Sequence, residues 1–177
     1  MLALYIVLAV IAVILLFVLV TAFVAFRMCF YNPNKKKIND PKYYSKRLVP
    51  EFLYPLTEEL LSKLEEEPYT PVETKSYDGL TLKGNYYLFD KNAPTMIIFH
   101  GYRSCLYSDS CGGFQEAKSC GFNILLVHQR AHGISDGNVI TFGIKEKYDV
   151  LTWIDFVKKN YGEDTPIALC GVSMGSS

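Results

Sequence analysis

From Leu2 to Phe26 the chain is apolar throughout except for Thr21, with no charge, no proline and no glycine. A helix of this make-up is apolar on every side, so it belongs to a buried or membrane setting rather than to the surface of a soluble domain. At ~1.5 Å per residue it reaches roughly 37 Å, enough to cross a ~30 Å hydrocarbon layer with some tilt. A cleaved signal opens on basic residues, has a shorter apolar stretch and ends at an A-x-A-like site. Here no Lys or Arg precedes Arg27, and Val20-Thr21-Ala22 is only a passable cleavage site. The reading is a single-pass anchor over residues 1–27, in contact with membrane lipid through residues 2–26.

Arg27, Lys35, Lys36, Lys37, Lys42, Lys46 and Arg47 follow the span, against Asp40 alone among acids. The positive-inside rule then puts the rest of the chain on the cytoplasmic side of the cell membrane. These charges either add attraction to an anionic leaflet or only fix topology in a solvated linker. Asn32-Pro33-Asn34 and Asp40-Pro41 break regular structure, which makes residues 28–50 a basic juxtamembrane linker. Five cysteines without a C-x-x-C spacing fit a reducing compartment and give little support to redox or zinc chemistry. With 18 basic against 18 acidic residues and no basic block interleaved with aromatics, nucleic acid is not an expected partner.

Residues 51–177 carry the folded part. Thr57 is expected to cap a short helix with Glu58 and Glu59 in its first turn, an apolar stripe of Leu60, Leu61 and Leu64, and Pro68 at its end. Val72 to Tyr77 and Leu80 to Phe89 flank Asp78-Gly79 as a hairpin. Thr95 to Phe99, Asn123 to Val127 and Ile167 to Cys170 are short apolar strands. Between them lie a helix from about Ser110 to Cys120, closed by Gly121, and one from Lys145 to Asn160, closed by Gly162. In the second, Tyr148, Leu151, Ile154 and Val157 recur at helical spacing. Apolar strands alternating with helices imply an α/β fold: a mostly parallel sheet covered on both faces, with the hairpin adding antiparallel strands at one edge.

Three of these strands run into marked sequences: His100-Gly101-Tyr102 after Phe99, His128 to Gly133 after Val127, and Gly171-Val172-Ser173-Met174-Gly175 after Cys170. In an open α/β sheet all three sit on the rim where ligands bind. The set resembles the α/β-hydrolase superfamily, and within it membrane-anchored bacterial hydrolases close to the serine aminopeptidase (S33) and monoacylglycerol-lipase-like groups. The resemblance covers about Val72 to Ser177. In that family the middle segment commonly reads D-x-R-G-H-G-x-S; here His128 stands for the Asp and Ala131 for the first Gly.

The resemblance implies Ser173 as nucleophile on a tight strand-to-helix turn, with Gly171 and Gly175 where side chains would obstruct it. It implies an oxyanion hole from the backbone N–H groups of Tyr102 and Met174, supported by His100 and Gly101. The triad order Ser, acid, His puts the partners after Ser173, so His100 and His132 are read as loop-fixing residues and Asp136 and Asp149 as other than the triad acid. Cys170 reads as a buried strand residue. A metal pair at His128 and His132 is disfavoured because the stretch is not helical, and no metal or organic cofactor is implied.

The function implied is a membrane-anchored serine hydrolase of the esterase, lipase or peptidase type, acting on an ester, thioester or amide through a Ser173 acyl-enzyme. Its substrate would be a small-molecule or lipid-like acyl compound, or a peptide. Because Ser177 closes the chain, the expectation is an N-terminal fragment with an incomplete hydrolase domain, poorly soluble and inactive. The alternative is a non-catalytic membrane-bound interaction module with the same fold. Acyl transfer to an alcohol is a third option.

Overall fold

Each rim loop is placed by a strand whose side chains alternate between two apolar layers. The computed structural model describes residues 1–33 and 50–177. Helix α1 (Leu2–Cys29) is followed by α2 (Tyr54–Glu66), the hairpin β1 (Thr70–Lys75) and β2 (Thr81–Tyr87), and β3 (Thr95–Phe99). Then come α3 (Cys111–Ser119), β4 (Asn123–His128), α4 (Glu146–Tyr161), β5 (Ile167–Gly171) and a 3-10 turn over Ser173–Ser176, a shorter one over Glu51–Leu53 having preceded α2. The sheet has five strands in the order β1-β2-β4-β3-β5. β1 and β2 are antiparallel to each other, β2 is antiparallel to β4, and β3 runs parallel to both β4 and β5. The fold class is as the sequence implies: a mixed α/β sheet with an antiparallel hairpin edge.

Period-two alternation sorts the strands between the layers. Ile98, Ile124 and Leu126 pack with Leu61, Leu64, Phe114 and Ala117 from α2 and α3. On the opposite face Ile97, Phe99, Leu125 and Val127 pack with Trp153 and Val157 from α4. The sheet is therefore covered on both sides, as parallel strands require.

Several local expectations are corrected. Thr57 is not the cap of α2: the helix starts at Tyr54, with Pro55 in its first turn. Thr57 lies one turn inside, where its hydroxyl donates to the Leu53 carbonyl at 2.9 Å. The helix ends at Glu66 because Glu67, preceding Pro68, is extended. On α4 the buried face is Glu146, Asp149, Trp153 and Val157, while Tyr148 and Leu151 are exposed. Trp153 takes the core position in place of Leu151 because its indole fills more of the inter-layer space. Gly121 does close α3: its N–H donates to Lys118 and that of Phe122 to Ala117, the paired bonds of a Schellman end. Cys170 is half-buried rather than buried.

No residue of α1 is buried, and the helix is long and apolar enough to cross a membrane. Lys35, Lys36, Lys37, Asp40, Lys42, Lys46 and Arg47, which carry the sidedness expectation, lie outside the described residues.

Candidate active site

β5 delivers the chain to the rim in register with β3, and the Val172 N–H extends that pairing by donating to the Phe99 carbonyl at 3.0 Å. The backbone then reverses at Ser173, which sits at φ +52. A non-glycine residue in this left-handed conformation costs about 1–2 kcal/mol, a strain held only where the surroundings enforce it. Two close approaches enforce it here. A Cβ on Gly171 would lie 2.3 Å from the Gly175 carbonyl oxygen, and one on Gly175 would lie 2.3 Å from that of Phe99. No side chain fits at either position, so the loop folds tightly enough to leave the Ser173 side chain exposed on the rim.

The turn after β3 abuts this bend. A Cβ on Gly101 would lie 3.5 Å from that of Ser173. The Gly101 N–H donates to Asp109 Oδ2 at 2.8 Å, which fixes the His100–Gly101 peptide at the entry to the turn. Met174 is buried against Ala131 and Ile140, with Tyr102 beside them, and belongs to the first turn after the bend. Its N–H is among the first of that turn, where no intrahelical acceptor exists. The structure thus brings together Ser173, Met174, Gly171, Gly175, His100, Gly101 and Tyr102.

Histidines support the rim. The Gln129 N–H approaches His100 Nε2 at 3.4 Å, and His100 Nδ1 lies 2.9 Å from the Gly101 carbonyl. The Gln129 side-chain amide in turn donates to the His100 carbonyl. His132 Nε2 accepts from the Arg103 N–H at 3.1 Å, and its Nδ1 lies 2.9 Å from the Arg130 carbonyl. These partners assign the proton to Nδ1 in both rings. Burial pushes His100, His128 and His132 below the ordinary histidine range, His128 and His132 to about 3. Those are the chain's three histidines. Each is neutral at pH 7, and none hydrogen-bonds the Ser173 hydroxyl.

The arginine segment is a clamp rather than a reagent. Arg130, 2% exposed, binds Asp149 of α4 through two 2.6 Å bonds and reaches Asp78 in the hairpin turn at 3.0 Å. Burial raises the Asp149 carboxyl against the pull of that guanidinium, whereas Asp78 is held well below the carboxylate range, chiefly by Arg130. Ser135 donates to the His128 carbonyl and accepts from the Lys83 N–H, and Asp136 accepts from the Thr81 N–H. Ala131, standing where the resembled family has glycine, takes φ +60.

Asp109 and Gln129 were not legible as site residues, since Asp109 belongs to no motif and Gln129 stands at the variable position of the segment after β4. The same holds for Arg103. Among the described residues, the non-glycine positions with positive φ are Arg103, Ala131, Phe142 and Ser173, all on the rim.

Comparisons with known proteins bear on the fold. Over 112 residues the chain is 30% identical to a thiohydrolase of Aspergillus aculeatus, covering 62% of this chain and 35% of that protein. A solved esterase of Pyrococcus furiosus superposes with a TM-score of 0.57 at 31% identity, covering 64% of this chain and 46% of that one. An α/β hydrolase from a Penicillium species gives 0.56 at 25% identity, covering 61% and 38%. The chain spans less than half the length of each of these relatives. No family model matches it. The fold is that of the α/β hydrolases, preceded by an apolar helix long enough to cross a membrane.

Proposed function

We propose that the chain carries the nucleophile and oxyanion donors of a membrane-anchored serine hydrolase, its hydrolase part on the cytoplasmic face. The observation that carries this reading is the strained, exposed Ser173 wedged between two obligatory glycines with the Gly101 turn against it. Ser173 Oγ attacks an ester, thioester or amide carbonyl carbon while its proton passes to a base. The Tyr102 and Met174 N–H groups hold the oxyanion, each such donor being worth ~3 kcal/mol in the transition state. The alcohol, thiol or amine departs with a proton, and water then cleaves the acyl-enzyme to the free acid. The esterase and thiohydrolase relatives favour oxygen and sulfur esters, and α1 favours lipid-like acyl groups. Closeness to the S33 group in particular rests on the sequence motifs.

Because all three histidines are buried and none hydrogen-bonds Ser173, none of them is read as the base. That same observation favours the second reading, a non-catalytic membrane module. Added imidazole separates the two. For the full chain in detergent, p-nitrophenyl ester hydrolysis is expected to match that of Ser173→Ala in plain buffer. It is then expected to exceed the variant increasingly as imidazole is added. Equal rates in both proteins at every imidazole concentration would sink the nucleophile assignment. Ser173-dependent turnover in plain buffer would instead contradict the missing base.

A further inference from the structure

The C-terminal end of α1 is fastened to the rim that holds Ser173. Tyr102 Oη donates to the Cys29 carbonyl at 2.7 Å. Arg103 Nη2 donates to the carbonyls of Met28 at 2.7 Å and Tyr31 at 2.9 Å. Carbonyls at a helix end lack intrahelical donors, and a guanidinium there also meets the negative end of the helix dipole. Beyond the helix, Tyr31 forms an antiparallel bridge with Val139. The Ile140 N–H donates to the Phe30 carbonyl, and the Asn32 N–H to that of Asn138, both at 2.8 Å. Asn32 Nδ2 reaches the Ala131 carbonyl at 2.9 Å. The start of the expected linker is thus a docked segment.

The rest of α1 buries nothing, so the helix leaves the domain from the rim itself. Around its exit stand Met28, Phe30, Val139, Phe142 and Ile144, all exposed, Ile144 at 71%. They continue the apolar surface of the helix: Phe26 stacks on Phe30 at 5.8 Å, and Phe30 meets Phe142 edge-on at 5.4 Å. Tyr102 stacks on Phe142 at 5.1 Å.

We propose that residues 138–144, with Phe30, form a lipid-facing surface seated in the headgroup layer of the membrane that α1 spans, so that Ser173 opens toward the adjoining leaflet. The occupant is the bilayer, because the patch is continuous with the spanning helix and is fixed to it by hydrogen bonds rather than by a linker. This rests on reading α1 as a membrane span.

Tryptophan placed at the surface tests it. Phe142→Trp and Ile144→Trp are made in the full chain and reconstituted into phosphatidylcholine vesicles with brominated acyl chains. Trp153, buried in α4, supplies a constant background. Lys91→Trp, on the exposed loop before β3 at the opposite end of the strands, is the reference. The expected result is blue-shifted emission and strong quenching at 142 and 144, with Lys91→Trp unquenched. Emission at both positions as unquenched as at 91, in protein that stays with the vesicles through a carbonate wash, overturns the proposal. Protein stripped off by carbonate overturns the anchor reading beneath it.

Discussion

Arg130 and Asp149 form a two-pronged buried ion pair, with Nε to Oδ2 and Nη2 to Oδ1 both at 2.6 Å and the residues 2% and 4% exposed. It ties the loop after β4 to α4, and through Asp78 to the hairpin turn. Removing one partner leaves the other charge buried and unpaired, at a cost of about 3–5 kcal/mol. Arg130→Ala is therefore expected to lower the thermal midpoint of the full chain sharply. Arg130→Lys recovers little, because an ammonium lacks the fork that both prongs use. A midpoint for Arg130→Ala close to the parent's contradicts this role.

Acid should destabilise the fold well above the carboxylate range. The unfolded chain binds histidine protons near the ordinary value of about 6.5, whereas burial delays binding at His128 and His132 to about 3. Between those values the unfolded state holds more protons, so stability rises with pH and is lost as pH falls through the window. Each histidine contributes up to about 1.4 kcal/mol per pH unit. Asp149, raised by burial, works in the opposite sense, and Asp78, held low by Arg130, adds to the loss at the acid end. Urea midpoints at pH 7 and pH 5 measure this; the pH 5 value should be lower, and equal values argue against neutral buried histidines.

The glycines of the chain divide into two kinds. Gly175→Ala drives a methyl into the Phe99 carbonyl, so main chain has to move and the bend at Ser173 is lost. Gly113→Ala, in α3, meets nothing within 4 Å and gains helix propensity, up to about 1 kcal/mol. Opposite shifts of the thermal midpoint are expected, and a tolerated Gly175→Ala speaks against the tight bend.

Ser173 should trade stability for reactivity. Ser173→Gly relieves the φ +52 strain and is expected to raise stability by about 1 kcal/mol, while Ser173→Ala, equally strained, leaves it near the parent's. No gain in the glycine variant implies that the bend is relaxed.

How far the sequence is legible follows from the kind of interaction involved. β3 and β4 are plain because a strand buried on both faces is an unbroken apolar run, and β5 reads as the same kind of run although Leu169 is exposed. Gly171 is plain because its exclusion by the Gly175 carbonyl acts within five residues, whereas Gly175 is legible only from the motif spacing, since what excludes a side chain there is the distant Phe99 main chain. The buried face of α4 is obscured because Trp153 and Leu151 compete for the core, and only packing against Leu125 and Val127 decides between them. Asp109, and the grip of Tyr102 and Arg103 on α1, depend on contacts distant in sequence that no local pattern records. Asn32-Pro33 reads as a break, and so it is, yet Asn32 is 2% exposed against the rim.

The nucleophile itself is tested most directly by a fluorophosphonate probe applied to the full chain in detergent with imidazole supplied as the base, with the adduct located by peptide mass spectrometry. The phosphonyl group should be found on Ser173 and be absent from Ser173→Ala. An adduct on another serine or on Cys170, or no adduct at all, would contradict the assignment.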